Sequence, residues 1–166
     1  MSTFRIPILG FSTKPDSSGD VFPEPASVKG TNGYFDQLVW VFNDSGAKDS
    51  LYGIFQVPQN YVGTAKIVVD WTSTATSGNT VLDCDYRAVG TGESLDQATA
   101  QEAITVTDAA PTSTDLLQEA LMTATAGNFN AGDMVQFILS RDGASASDTL
   151  SAAITVVGVY FEFTDA

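Results

Sequence analysis

The chain has 166 residues and 43% hydrophobic residues, with seven basic against 20 acidic side chains, a formal net charge of −13. That length points to one domain with its own buried core, and the wealth of aromatic and β-branched residues excludes a disordered chain. Residues 88–166 carry a single base, Arg141, so nucleic acid and anionic membrane surfaces are disfavoured as partners, because both need clustered Lys and Arg.

Residues 3–10 read as a short first strand, with Pro7 marking an edge position. The Pro/Gly/Ser/Asn-rich stretch 13–33 reads as an extended arm or loop, punctuated by aromatic residues. Asp36–Asn43 alternates as a strand with Leu38, Trp40 and Phe42 on one face, and Asn43-Asp-Ser-Gly46 is a turn. Leu51–Val57 is an apolar run. Thr64–Thr72 places Ile67, Val69 and Trp71 on one face, and Thr80–Ala88 alternates apolar with charged residues. Glu93–Ala100 suits a brief helical turn, Ala103–Thr107 a short strand, and Leu116–Thr125 a strand in preference to a short helix. Met134–Arg141 is a further strand and Asp142–Thr149 a polar loop. Ala153–Phe163 closes the chain as a long strand with Val157, Val159, Phe161 and Phe163 on one face. The fold class is therefore all-β: an antiparallel sandwich of about eight strands, with residues 1–35 as N-terminal strand and arm and residues 36–166 as the sandwich.

Chemistry-bearing residues are few. Histidine is absent, which removes the commonest general base and neutral metal ligand. The single cysteine, Cys84, allows no internal disulfide and shares an apolar register with Tyr86, so it reads as a core thiol. Asp83 and Asp85 lie on one strand face about 7 Å apart, and with Asp70 on a neighbouring strand they would form a calcium-type trio. The outward face of a strand beside Arg87 explains them without an ion. The loop from Arg141 to Thr149 lacks the rhythm of a calcium loop and reads as a turn capped by Asp142 with Gly143 at positive φ. Gly90 and Gly92 have no following P-loop lysine. Trp40, Trp71, Tyr34, Tyr61 and Tyr86 are the possible sugar platforms, although both tryptophans sit in apolar registers. The opening Met1-Ser-Thr-Phe-Arg-Ile-Pro-Ile-Leu-Gly10 lacks the long apolar run of a secretory signal, so synthesis in a cytoplasm without export by that route is the expectation.

Several pieces taken together resemble a family of jelly-roll virion proteins of marine and environmental tailed phages. They are Ile67-Val-Val-Asp-Trp71 through Gly78-Asn79, Asp83-Cys-Asp-Tyr86-Arg-Ala88, Gly92-Glu-Ser-Leu-Asp96, Phe129-Asn-Ala-Gly132-Asp133, Ser140-Arg-Asp-Gly143 leading to Asp148-Thr-Leu150, and Gly158-Val-Tyr-Phe-Glu-Phe163. The resemblance spans residues 67–163. It implies a jelly-roll strand order and a non-enzymatic capsid decoration (cement) protein on the virion surface. Its partners would be the major capsid protein and itself, as a homotrimer, with no catalytic, cofactor or metal residues. The segment carrying Phe11, Phe22, Tyr34 and Phe35 would serve as a contact arm. A tail-fibre, head-fibre or tail-tip component that recognises a host is the alternative, and a carbohydrate-binding module is the second alternative.

Overall fold

A computed structural model describes residues 2–13, 23–29 and 36–165. Among them are eleven strands: β1 (Thr3–Pro7), β2 (Phe11–Ser12), β3 (Glu24–Lys29), β4 (Asp36–Phe42), β5 (Lys48–Gln56), β6 (Tyr61–Ser73), β7 (Asn79–Val89), β8 (Glu102–Ala109), β9 (Gln118–Thr123), β10 (Met134–Asp142) and β11 (Ile154–Asp165). Every pairing is antiparallel. One sheet runs β3-β4-β11-β6-β9, with β1 also on β11, and the other runs β2-β5-β10-β7-β8.

The order explains itself if β4 to β11 are one long hairpin. β7 pairs β8 at its tip, then β6 pairs β9, β5 pairs β10 and β4 pairs β11. Rolling that hairpin brings β11 against β6 and β10 against β7, which closes two sheets face to face. Nested pairing followed by rolling is the jelly roll. Eight strands make this core, and β1, β2 and β3 are additions at its margins. β1 continues the position of β4, taking over along β11 from Tyr160 to Thr164 where β4 leaves off at Val156.

The core lies between the sheets. Phe161 sits at its centre, with ring centroids 4.9 Å from Phe55, 5.4 Å from Phe129 and 5.8 Å from Phe163. Cys84 and Tyr86 are buried together, as their shared register predicts. Trp71 is fully buried and its Nε1–H donates to Asp108 at 2.9 Å, which satisfies the one polar atom of the ring.

Four expectations change. Glu24–Lys29 is a strand inside the stretch read as loop: it is an edge strand, where Pro25, opposite Trp40, has no need of a ladder N–H. Residues 91–100 make turns and bends, not a helical turn. Leu38 does not follow Phe42 into the core and is 81% exposed. In β11 a bulge between Val156 and Gly158 shifts the side-chain alternation by one, so Ile154 and Val156 share the buried face with Val159, Phe161 and Phe163, and Val157 falls out of it.

Candidate functional site

Three strands of the second sheet present an ordered outer face. Side chains directly opposite each other across strands form rows. Tyr52, Ile138 and Asp85 make one row across β5, β10 and β7, and Ile54, Gln136 and Arg87 make the next. These two rows floor a cleft of about 750 Å³. Gly10, Phe11 and Ser12, on the β2 side, form one flank, and Gln97–Ala100 form the other. The second flank is anchored from the floor, because the Arg87 Nε–H donates to the Thr99 carbonyl at 2.9 Å. Gln101 holds the base of the same loop: its N–H donates to the Tyr86 carbonyl at 2.8 Å and its side-chain oxygen accepts from the Ala88 N–H at 3.1 Å.

The lining joins an aromatic ring and aliphatic surface to a small number of polar groups. Ile54 is 58% exposed, which is unusual for a strand isoleucine and marks the floor as apolar surface open to solvent. Among the described residues, the Tyr52 hydroxyl, the Asp85 carboxylate, the Gln136 amide and the outer nitrogens of Arg87 make no side-chain hydrogen bond. The other acids on or near this sheet are engaged. Asp83 accepts from Lys48 and Thr105, each at 2.6 Å. Glu102 accepts from Tyr86 and, at 3.0 Å or less, from Thr125 and Asn128. Burial works against the charge of Glu102, but these donors outweigh it and hold its pKa below the ordinary carboxylate value.

The residues proposed from sequence disperse. Phe11 is half-buried, edge-on to Phe137 at 5.8 Å, and belongs to the cleft flank. Phe22, Tyr34 and Phe35 lie outside the described residues. Tyr86 is 1% exposed and meets the cleft only from beneath, its hydroxyl committed to Glu102. Tyr61 is buried with its hydroxyl donating to the Gly63 carbonyl. Trp40 is half-buried on the other sheet beside a smaller hollow of about 200 Å³. The aspartate trio is not assembled: Asp83 and Asp85 share the outer face of β7, whereas Asp70 is on β6 in the opposite sheet. No three His, Cys, Asp or Glu side chains are grouped to hold a metal ion among the described residues. Burial pushes the Cys84 thiol far up, so it is not a thiolate.

The loop after Arg141 also differs from expectation. Its turn closes through the Ser145 N–H to the Asp142 carbonyl at 3.0 Å, but Gly143 is not among the positive-φ glycines. A Cβ there would stand 3.4 Å from backbone atoms of Gly46 and Ala47, close contact but no clash. Arg141 is not a surface charge. It is fully buried and donates to both oxygens of Asp148 and to the carbonyls of Leu150 and Ala152.

Sequence reasoning missed Tyr52, Gln136 and the two isoleucines. A signal was present: Leu51–Val57 and Met134–Arg141 carry large apolar residues in both strand registers, more than a half-buried strand needs. Such strands have a second apolar face to account for.

No family model matches the chain, and no curated protein matches it. Structures similar to it include the CBM22-1 xylan-binding domain from Paenibacillus barcinonensis Xyn10C, with TM-score 0.48, 10% identity and coverage of 95% of this chain and 87% of that one. A family 35 carbohydrate binding module from Clostridium thermocellum gives 0.47 and 12%, over 97% and 98% of the two chains. The enzymatically active domain of tailspike protein 4 of bacteriophage CBA120 gives 0.43 and 8%, over 96% of this chain and 19% of that one. Likenesses this distant carry no argument about what this chain binds, and the sandwich assignment rests on its own strand pairing.

Proposed function

We propose that the protein is a non-catalytic binding module whose cleft on the β5-β10-β7 face takes a neutral glycan. The observation that carries the reading is the cleft floor itself. A half-buried phenol ring and an aliphatic patch with Ile54 exposed sit among the Asp85 carboxylate, the Gln136 amide and the outer nitrogens of Arg87, none of which makes a hydrogen bond to a described residue. A sugar ring has apolar faces and a rim of hydroxyls. Tyr52, Ile54 and Ile138 suit the faces, while Asp85, Arg87, Gln136 and Gln97 suit the hydroxyls. The charge of −13 argues against a polyanionic ligand. Binding rather than hydrolysis follows from the carboxylates: glycoside cleavage uses a facing pair, and Asp85 is the one acid in the described lining.

Calorimetric titration with neutral xylo-, cello- and manno-oligosaccharides tests this. One series binds to the wild type, and Tyr52→Ala or Arg87→Ala weakens it by about 30-fold, the effect of losing an anchor worth ~2 kcal/mol. Unaltered affinity in both variants would place the site elsewhere. Of the virion roles, a host-recognising fibre or tail tip fits a sugar cleft better than shell decoration, and no feature described above favours cementing of a capsid.

A further inference from the structure

The same outer face continues beyond the cleft on one side. One residue pair beyond the Tyr52-Ile138-Asp85 row, Ser50, Ser140 and Asp83 form a third row across β5, β10 and β7. The pair after that is Lys48 and Asp142. Lys48 stands on β5, yet its ammonium reaches Asp83 on β7 at 2.6 Å. The lysine stem must therefore cross the face of β10 diagonally. Asp142 stands on the near side of the ammonium at 3.8 Å. What lies beneath bears this out. Ser140 points outward, hydrogen-bonds Ser50 at 2.8 Å, and is only 5% exposed, and Asp83 is 8% exposed. At the opposite end, beyond Ile54-Gln136-Arg87, the row is Gln56, Met134 and Val89, and no ion pair crosses it among the described residues.

Two flanks bound the cleft, and along the strands the row next to its floor is crossed on one side by the Lys48–Asp83 ion pair, with no such pair on the other side among the described residues. We propose that it takes the end of a glycan chain, with Lys48 and Asp83 as the stop that excludes chain continuation. The inference rests on the glycan reading above. A terminal sugar carries a free hydroxyl where an internal sugar carries a glycosidic bond. At the barred end that hydroxyl meets the ammonium of Lys48 and the carboxylate of Asp142, both able to hydrogen-bond it. An internal sugar would drive its neighbouring ring into the bar. Discrimination of this kind comes from a built-in clash as much as from an added contact.

The test compares xylotriose, cellotriose and mannotriose with soluble xylan, hydroxyethylcellulose and galactomannan, which present few ends per mass. The trisaccharides are titrated by calorimetry, and the polymers are cast into native gels to retard the protein. The wild type binds one trisaccharide series and runs unretarded in the matching polymer. Lys48→Ala, with the bar removed, becomes retarded, its polymer affinity rising by about tenfold or more. Lys48→Ser, whose short side chain cannot cross β10, behaves likewise and carries the test should the alanine variant fail to fold. Wild-type protein retarded by polymer as strongly as the variants overturns the chain-end inference and leaves the glycan reading standing. Absence of binding to every trisaccharide and polymer overturns both.

Discussion

Replacing Asp148 by alanine removes the carboxylate that neutralises a fully buried guanidinium. In the intact protein the Arg141 side chain is 0% exposed and that of Asp148 1%. Arg141 donates from Nε at 3.0 Å and from Nη2 at 2.8 Å to the two carboxylate oxygens. It donates also to the carbonyls of Ala152 at 2.6 Å and Leu150 at 2.7 Å. Asp148 in turn accepts from the Val81 N–H at 3.0 Å, so one carboxylate ties the loop after β10 to the start of β7. Asp148→Ala leaves the cation with two carbonyls and only the more distant Asp44 carboxylate at 3.7 Å, and deprives the Val81 N–H of its acceptor. Breaking a buried pair from one side costs about 3–5 kcal/mol. That is a large part of a stability of about 5–15 kcal/mol, and at roughly 2–4 °C per kcal/mol it lowers the melting temperature by about 6–20 °C. Arg141→Met combined with Asp148→Ala removes both charges and is expected to lose less than Asp148→Ala alone. Scanning calorimetry with urea titration measures the wild type, Asp148→Ala, Arg141→Met and the double variant. A loss below ~1 kcal/mol for Asp148→Ala, or a double variant worse than the sum of the singles, refutes the assignment of this pair as the clamp of the loop.

Two further outcomes concern the cleft wall and pH. A Cβ on Gly53 would stand 2.5 Å from the Phe137 ring, which Phe11 and Phe55 hem in at 5.8 Å each. Gly53→Ala is therefore expected to cost about 1–3 kcal/mol by overpacking and, by pushing Phe137 against Phe11, to weaken glycan titrations; an unchanged melting temperature speaks against the packing described. The pH profile carries two opposed signs. Lys66 and Arg5 hold Glu162 below the ordinary carboxylate value, and the donors around Glu102 do the same there, so both groups contribute stability above the unfolded value of 4.5 that is lost as pH falls through their folded values. Asp70 is raised, by burial first and by Glu119 second, so its charge costs stability at neutral pH and nothing below the unfolded value of 3.8. Asp70→Asn should then melt higher than the wild type near pH 7 and show no such gain at about pH 3; a gain equal at both pH values contradicts the burial argument.

The strands of the jelly roll were legible because their sequences alternate. Ile67, Val69 and Trp71 fall on one face and are all buried, as do Cys84 and Tyr86. The errors arise where a local rule meets a tertiary one. A bulge after Val156 is invisible to a period-two count, and it takes Val157 off the face that Val159, Phe161 and Phe163 share. Prolines at 23 and 25 disguise β3, since at a sheet edge their missing donors carry no penalty. Charge gives no warning either: Arg141, the only base after residue 88, is fully buried, as is Asp49.

The candidate site was less legible, for a reason that lies in how a sheet face is assembled. No two floor residues from different strands are close in sequence: Tyr52, Asp85 and Ile138 become one row only through the register of β5, β10 and β7. Aromatic residues conspicuous in the sequence, Trp71, Tyr61 and Tyr86, are conspicuous because they build the core, and burial removes them from any ligand. The tyrosine proposed to meet a ligand, Tyr52, is instead one that strand alternation places on the outer face, opposite Ile138. The same logic applies to the bar. Lys48 and Asp83 are 35 positions apart, and neither has meaning alone. Rolling the hairpin sets them two strands apart on one face, with a lysine long enough to close the distance. A jelly roll thus generates sites between strands that its sequence lists separately, and register is the information that converts one into the other.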